Sequence, residues 1–197
     1  MKVCNALLIL LLLLAGCTGG VGGPELNPEQ EAVYKAMRQW CDKLSAKDSD
    51  ALWEMLSPDA QDIYRRELEA PGGVRSQAKL LQAGLEPGGV TSEAEKNRMR
   101  QGLKELPPEP EKLTAKDYYK WRIAKEATPE AVANTSRLFA RDNLVSIKVE
   151  GDNATVTLKH GDPKTYSWIR HSGVWKIDLK PSILRALDDA RRRESGN

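Results

Sequence analysis

The residues able to do chemistry are few and scattered. Cysteines stand at Cys4, Cys17 and Cys41, and histidines at His160 and His171. No two of them have the close spacing that pairs ligands in a zinc site. Both histidines fall at predicted strand ends beside turns, where an imidazole is an exposed surface group. A catalytic base has to be shielded and shifted in pKa. Asp178 alternates out of phase with Trp175 and Ile177, which puts its carboxylate on the solvated side of a strand. Tyr118 and Tyr119 could bring a hydroxyl to a pocket, and helix packing accounts for them as well. Trp168 and Trp175 could line an apolar pocket or fill a core. Pro71-Gly72-Gly73-Val74 and Pro87-Gly88-Gly89-Val90 lack the Lys-Ser/Thr that a phosphate loop requires, and no nucleophile elbow is present. The sequence therefore names no catalytic residue, metal set or cofactor, and its candidate pocket-lining residues are Tyr118, Trp168 and Trp175.

Charge narrows the partners. The formal net charge is +2, which gives no electrostatic footprint for nucleic acid. No run of basic residues is long enough for a polybasic membrane segment. The basic cluster Arg191 to Arg193 reads as a complement to a helix C-terminus.

Cys17 has a context of its own. Met1 and Lys2 form a short positive start, and Ala6 to Leu14 is an unbroken apolar run. The run is too short for the ~20 residues of a membrane span and suits the apolar region of a signal peptide. Leu14-Ala15-Gly16-Cys17 closes it and resembles the lipobox of bacterial lipoproteins. The resemblance implies a signal peptide over 1–16, cleavage before Cys17, a diacylglycerol on its thiol and often a third acyl chain on its amine. Two or more chains suffice for stable anchoring. It implies an exported, membrane-anchored protein. Thr18, where an inner-membrane lipoprotein of this pattern has Asp, implies the periplasmic side of the outer membrane in a Gram-negative cell. With Cys4 in the leader and Cys17 acylated, Cys41 is left without an intramolecular partner and reads as a small buried hydrophobe. Residues 17–28 read as the lipidated cysteine and a Gly- and Pro-rich tether, spanning ~17 Å root-mean-square over its length.

The rest, 29–197, reads as one α+β domain. Val33, Ala36, Met37, Trp40, Cys41 and Leu44 form one face of a helix over 29–44. Asp48 and Ser57-Pro58 mark two further helix starts. Residues 71–112 read as a helical insertion, with helices capped by Ser76 and Ser92 and a Pro-rich surface connection over 106–112. Thr114 with Asp117, and Thr128-Pro129, open two more helices. Period-2 alternation follows in Val145/Ile147/Val149, Ala154/Val156/Leu158, Tyr166/Trp168 and Trp175/Ile177/Leu179, with turns at Gly151, Gly161 and Ser172-Gly173. This predicts a four-stranded antiparallel meander with the first helix covering one face. Pro181 opens a last helix with Ile183, Leu184 and Leu187.

The order of elements resembles the NTF2-like or cystatin-like superfamily. The resemblance rests on Leu52-Trp53-Glu54-Met55-Leu56-Ser57-Pro58 after the first helix, and on Gly151-Asp152-Asn153-Ala154-Thr155-Val156 and Gly173-Val174-Trp175-Lys176-Ile177-Asp178 in the hairpins. It implies a cone-shaped pocket between a curved sheet and its helices. Members of such a superfold include enzymes and plain binders. Three functions stay open. The first is non-catalytic binding of an apolar small ligand or an envelope protein. The second is pocket catalysis of isomerase, dehydratase or hydrolase type. The third is a structural contact through the 71–112 insertion. The anchor has a direct test. Replacing Cys17 by alanine is expected to move the protein from the membrane to the soluble fraction on cell fractionation, and retention in the membrane would remove the anchor.

Overall fold

The computed structural model of the chain describes residues 23–89, 92–161 and 164–179. The segment carrying Cys17, residues Asp162-Pro163 of a predicted turn and the predicted last helix from Pro181 lie outside the described residues.

Helix α1 (Pro28–Ser45) begins at Asn27, whose side chain accepts from the amides of Glu29 and Gln30 while Gln30 bonds back to the Asn27 amide. The box satisfies amides that every helix start leaves free. Val33, Ala36, Met37 and Cys41 are buried along its length. This is the face that the sequence period assigns to the core. The short α2 (Ser49–Glu54) is capped by Asp48, and α3 (Pro58–Glu69) by Ser57. Next come α4 (Val74–Leu85), α5 (Glu93–Glu105), α6 (Ala115–Glu126) and α7 (Pro129–Leu138).

The chain then changes period. Strands β1 (Leu144–Glu150), β2 (Asn153–Leu158), β3 (Thr165–His171) and β4 (Val174–Asp178) pair antiparallel in the order β1-β2-β3-β4. The α+β class and the four-stranded meander are those predicted. Ser172 and Gly173 both have positive φ (52° and 79°), as a two-residue hairpin requires. Helix α1 lies across the sheet and touches β1 and β4. Between them Met37, Leu52, Leu56, Val156, Trp168 and Ile177 form part of one core. A parallel backbone step joins the helices to the sheet edge. The Ser57 amide donates to the Ile177 carbonyl and the Ile177 amide to the Met55 carbonyl, each at 2.9 Å.

Several local expectations are corrected. Alternation predicts Val145 inward, but a bulge between Leu144 and Ser146 puts Leu144 in the core and leaves Val145 48% exposed. The cap of α4 is Gly73 rather than Ser76, whose hydroxyl bonds back to the Ala70 carbonyl. Ser92 stands at the start of α5 without a side-chain cap bond. The Pro-rich connection is partly internal. Pro107 and Pro110 are buried, and Arg75 donates to the carbonyls of Pro110 (3.1 Å) and Leu113 (2.8 Å). Of the expected tether, Gly23, Pro24 and Leu26 meet the domain. Leu26 packs on the core, and Arg141 donates to the Pro24 carbonyl.

Cys41 is 1% exposed, and burial pushes its thiol up to about 11. Its folded pKa lies above the unfolded one. The native state therefore loses stability as pH rises above the ordinary thiol range, where the unfolded chain ionises first. Iodoacetamide at mildly alkaline pH is expected to leave Cys41 unmodified in the native protein and to alkylate it in urea, read by mass spectrometry.

Candidate functional site

Helix α6 organises the helical side of the molecule. Its start is fixed by a capping box between Thr114 and Asp117, and the Thr114 hydroxyl and amide hold the Asp117 carboxyl below the usual carboxylate range. Tyr118, Trp121, Arg122 and Lys125 then recur at helical spacing on one face. Tyr119 points elsewhere, against Trp53 (centroids 5.5 Å apart) and Tyr64 (4.9 Å). Helix α6 packs on α2 and α3, and α4 packs on α3. An open cleft of about 620 Å³ lies between the end of α3, the start of α4, the end of α5 and α6.

Arg122 is its electrostatic centre. Nη1 donates to Glu67 Oε2 at 2.8 Å and Nε to Glu126 Oε1 at 2.9 Å. The guanidinium also sits 5.7 Å from the centre of the Tyr64 ring. Burial works against the charge on Arg122, but Glu126 and Glu67 outweigh it and its pKa rises. The Tyr118 hydroxyl donates to the same Glu67 oxygen at 3.4 Å. Burial raises the Tyr118 pKa, and Glu67 adds to the effect. Burial pushes Tyr64 up to about 12. These shifts all move away from neutral pH, so the three groups hold fixed protonation states there.

The apolar wall is made by the same helix. Tyr118 stacks on Trp121 with ring planes 19° apart, and Lys125 lies over the Trp121 ring while donating to the Glu105 carbonyl at 3.2 Å. Leu106 and Pro107 continue the wall from the end of α5. Arg66, Arg122 and Lys125 face Glu67, Glu105 and Glu126 around the cleft. Three charges of each sign cancel, so the cleft does not select a polyanion or polycation. It offers the half-buried Trp121 ring, with Lys125 lying over it, and donors and acceptors beside it.

The sequence candidates separate. Tyr118 lines this cleft. Trp168 and Trp175 are buried in the core under α1, and Arg170 lies over the Trp175 ring at 4.6 Å. Neither the Trp168 Nε1 nor the Tyr119 hydroxyl has a hydrogen-bond partner among the described residues. His160 and His171 are exposed at the ends of β2 and β3. No group of three His, Cys, Asp or Glu side chains could hold a metal ion among the described residues. A second cavity, of about 660 Å³, has His160 in its lining along with Arg137, Asn143 and Lys159. Sequence reasoning missed Arg122, Lys125 and Glu67. The spacing of Arg122 and Lys125 from Tyr118 could have pointed to them, but nothing in the sequence links Glu67 to residues more than fifty positions away.

No family model matches the chain, and neither a curated protein nor a solved structure is similar enough to count as a match.

Arg122→Met leaves Glu67 and Glu126 without their shared cation. At this partly exposed site the loss is expected to be about 1–2 kcal/mol in urea unfolding. Arg122→Lys is expected to recover only part of it, because a lysine cannot reproduce the two-armed geometry.

Proposed function

We propose that this chain is a lipid-anchored protein of the bacterial cell envelope whose α+β domain binds a small amphipathic ligand, without catalysis, in the cleft between α3 and α6. The sequence Leu14-Ala15-Gly16-Cys17 at the end of an apolar run supports the anchor. Thr18 supports an outer-membrane location facing the periplasm where the cell has one. No helix among the described residues is long and apolar enough to cross a membrane.

The cleft carries the binding half of the reading. Its volume lies within the ~300–1,000 Å³ of small-molecule sites, and it joins an aromatic wall to a few fixed polar groups. The suited ligand has a flat or apolar part for Tyr118 and Trp121, and hydroxyl or amide groups for Glu67, Arg66 and Lys125. A pocket enzyme of the NTF2-like kind would work between the sheet and its covering helix. That space holds Met37, Leu52 and Trp168, which favours a ligand on the helical side instead.

Native mass spectrometry of the mature protein, purified from envelopes under mild conditions, tests this. A reproducible added mass is expected, and it should disappear in Trp121→Ala and weaken in Glu67→Gln. A clean apoprotein, or an adduct indifferent to both substitutions, would sink the cleft as the binding site.

A further inference from the structure

We propose that the domain turns one particular face, built from Arg38, Arg137, Arg141 and Lys159, onto the anionic surface of the membrane that holds it. The proposal rests on the reading of Cys17 as the lipidated residue, and it adds an orientation that the anchor alone does not give.

The point where the chain joins the domain is fixed. Arg141 Nη2 donates to the Pro24 carbonyl at 3.2 Å, and Leu26 is packed on the core. Six residue steps separate Cys17 from Gly23, and even fully extended they reach only about 20 Å. The surface around Arg141 therefore stays within reach of the bilayer, whatever path those residues take.

That surface gathers cations from separate segments. Arg141 lies 5.1 Å from the centre of the Tyr34 ring, and Arg38, one helical turn on in α1, donates to the Ser136 carbonyl beside Arg137. Lys159 donates to the Asp142 carbonyl, next to Arg141. Arg137 and Lys159 line the same cavity. Glu31 neutralises Arg141 at 2.8 Å, and Asp142 contributes a further carboxylate. Arg38, Arg137 and Lys159 form no ion pair among the described residues. Several cations of the helical side, by contrast, are paired. Lys116 and Lys120 pair with Asp50, and Arg65 and Arg66 with Asp62. With four cations against Glu31 and Asp142, this face carries a positive excess where the chain heads for the membrane.

The test supplies the tether chemically. The leaderless chain beginning at Cys17 is coupled through that thiol to a maleimide phospholipid, and Cys41, being buried, does not compete. Vesicles of phosphatidylcholine are compared with equimolar phosphatidylcholine and phosphatidylglycerol. Acetylation of each lysine by a soluble reagent is followed by mass spectrometry. Lys159 is expected to react roughly five-fold more slowly on the anionic vesicles, while Lys79 and Lys104 in α4 and α5 react alike on both. High salt, or the double substitution Arg38→Glu and Arg137→Glu, is expected to abolish the difference. If the double variant does not fold, Arg137→Glu alone serves, since that residue is exposed. Equal reactivity of Lys159 on the two vesicles overturns the proposal, and so does equal protection of Lys79 and Lys104. Neither outcome depends on natural acylation. An unacylated Cys17 in the protein isolated from cells overturns the anchor reading instead.

Discussion

Two hydrogen bonds between Met55–Ser57 and Ile177 hold the helices in register with the sheet. They use the outer edge of β4, which would otherwise present free amides and carbonyls to other chains. Leu56 and Ile177 are both buried at this step. Ser57 then serves the next element at once, because its hydroxyl accepts from the Ala60 amide at 3.0 Å and starts α3. The direction of α3 is thereby set by the sheet. Helix α6 packs on α3, so the aromatic wall of the cleft inherits its position from a backbone contact on the far side of the core.

The two sides of the molecule are held by different forces. Under α1 the contacts are mostly apolar, with Gln30 donating to the Ile147 carbonyl; the buried Trp168 Nε1 has no partner among the described residues, and neither has the Tyr119 hydroxyl beside Trp53 and Tyr64. Leaving such a group unsatisfied costs about 1–3 kcal/mol. The rings that carry them contribute large buried area, which offsets the cost. On the helical side the contacts are ion pairs, most of them exposed and each worth little. In the Glu67–Arg122–Glu126 set one guanidinium bridges two carboxylates and also lies against the Tyr64 ring. Its three side chains restrain one another and give the cleft a fixed polar rim.

Much of this was legible in the sequence. The stripe from Val33 to Cys41, the caps at Asp48, Ser57, Thr114 and Thr128, and the alternation in the last third are local signals that the packing obeys. The failures share a cause. Val145 was placed by strict alternation, and a bulge is a tertiary decision about which of two neighbours the core accepts. Ser76 and Ser92 have the right chemistry for caps, but Gly72-Gly73 lets α4 begin earlier. Pro107 and Pro110 looked like surface spacers because the guanidinium that pins the connection comes from Arg75, far back in the chain. The cleft was legible only at Tyr118. A site assembled from four helices and their connections has no period, and Glu67 meets Arg122 only after folding. The cationic face has no signature in the sequence for the same reason, since no two of its four residues are adjacent.

The arm formed by α4 and α5 is closed at its base. Arg75 at the start of α4 grips the carbonyls of Pro110 and Leu113, beyond the end of α5, so both strands of the excursion are clamped where they leave the domain. Along the arm the helices touch closely, with Gly102 under Leu81 and Gly84 under Met99. Its far end, by contrast, contributes no lining to the cleft among the described residues. Length can therefore change at the tip, near residues 86–89, without being transmitted to the base. That makes the tip the natural place for evolution to add or trim turns, and for an experimenter to graft a tag.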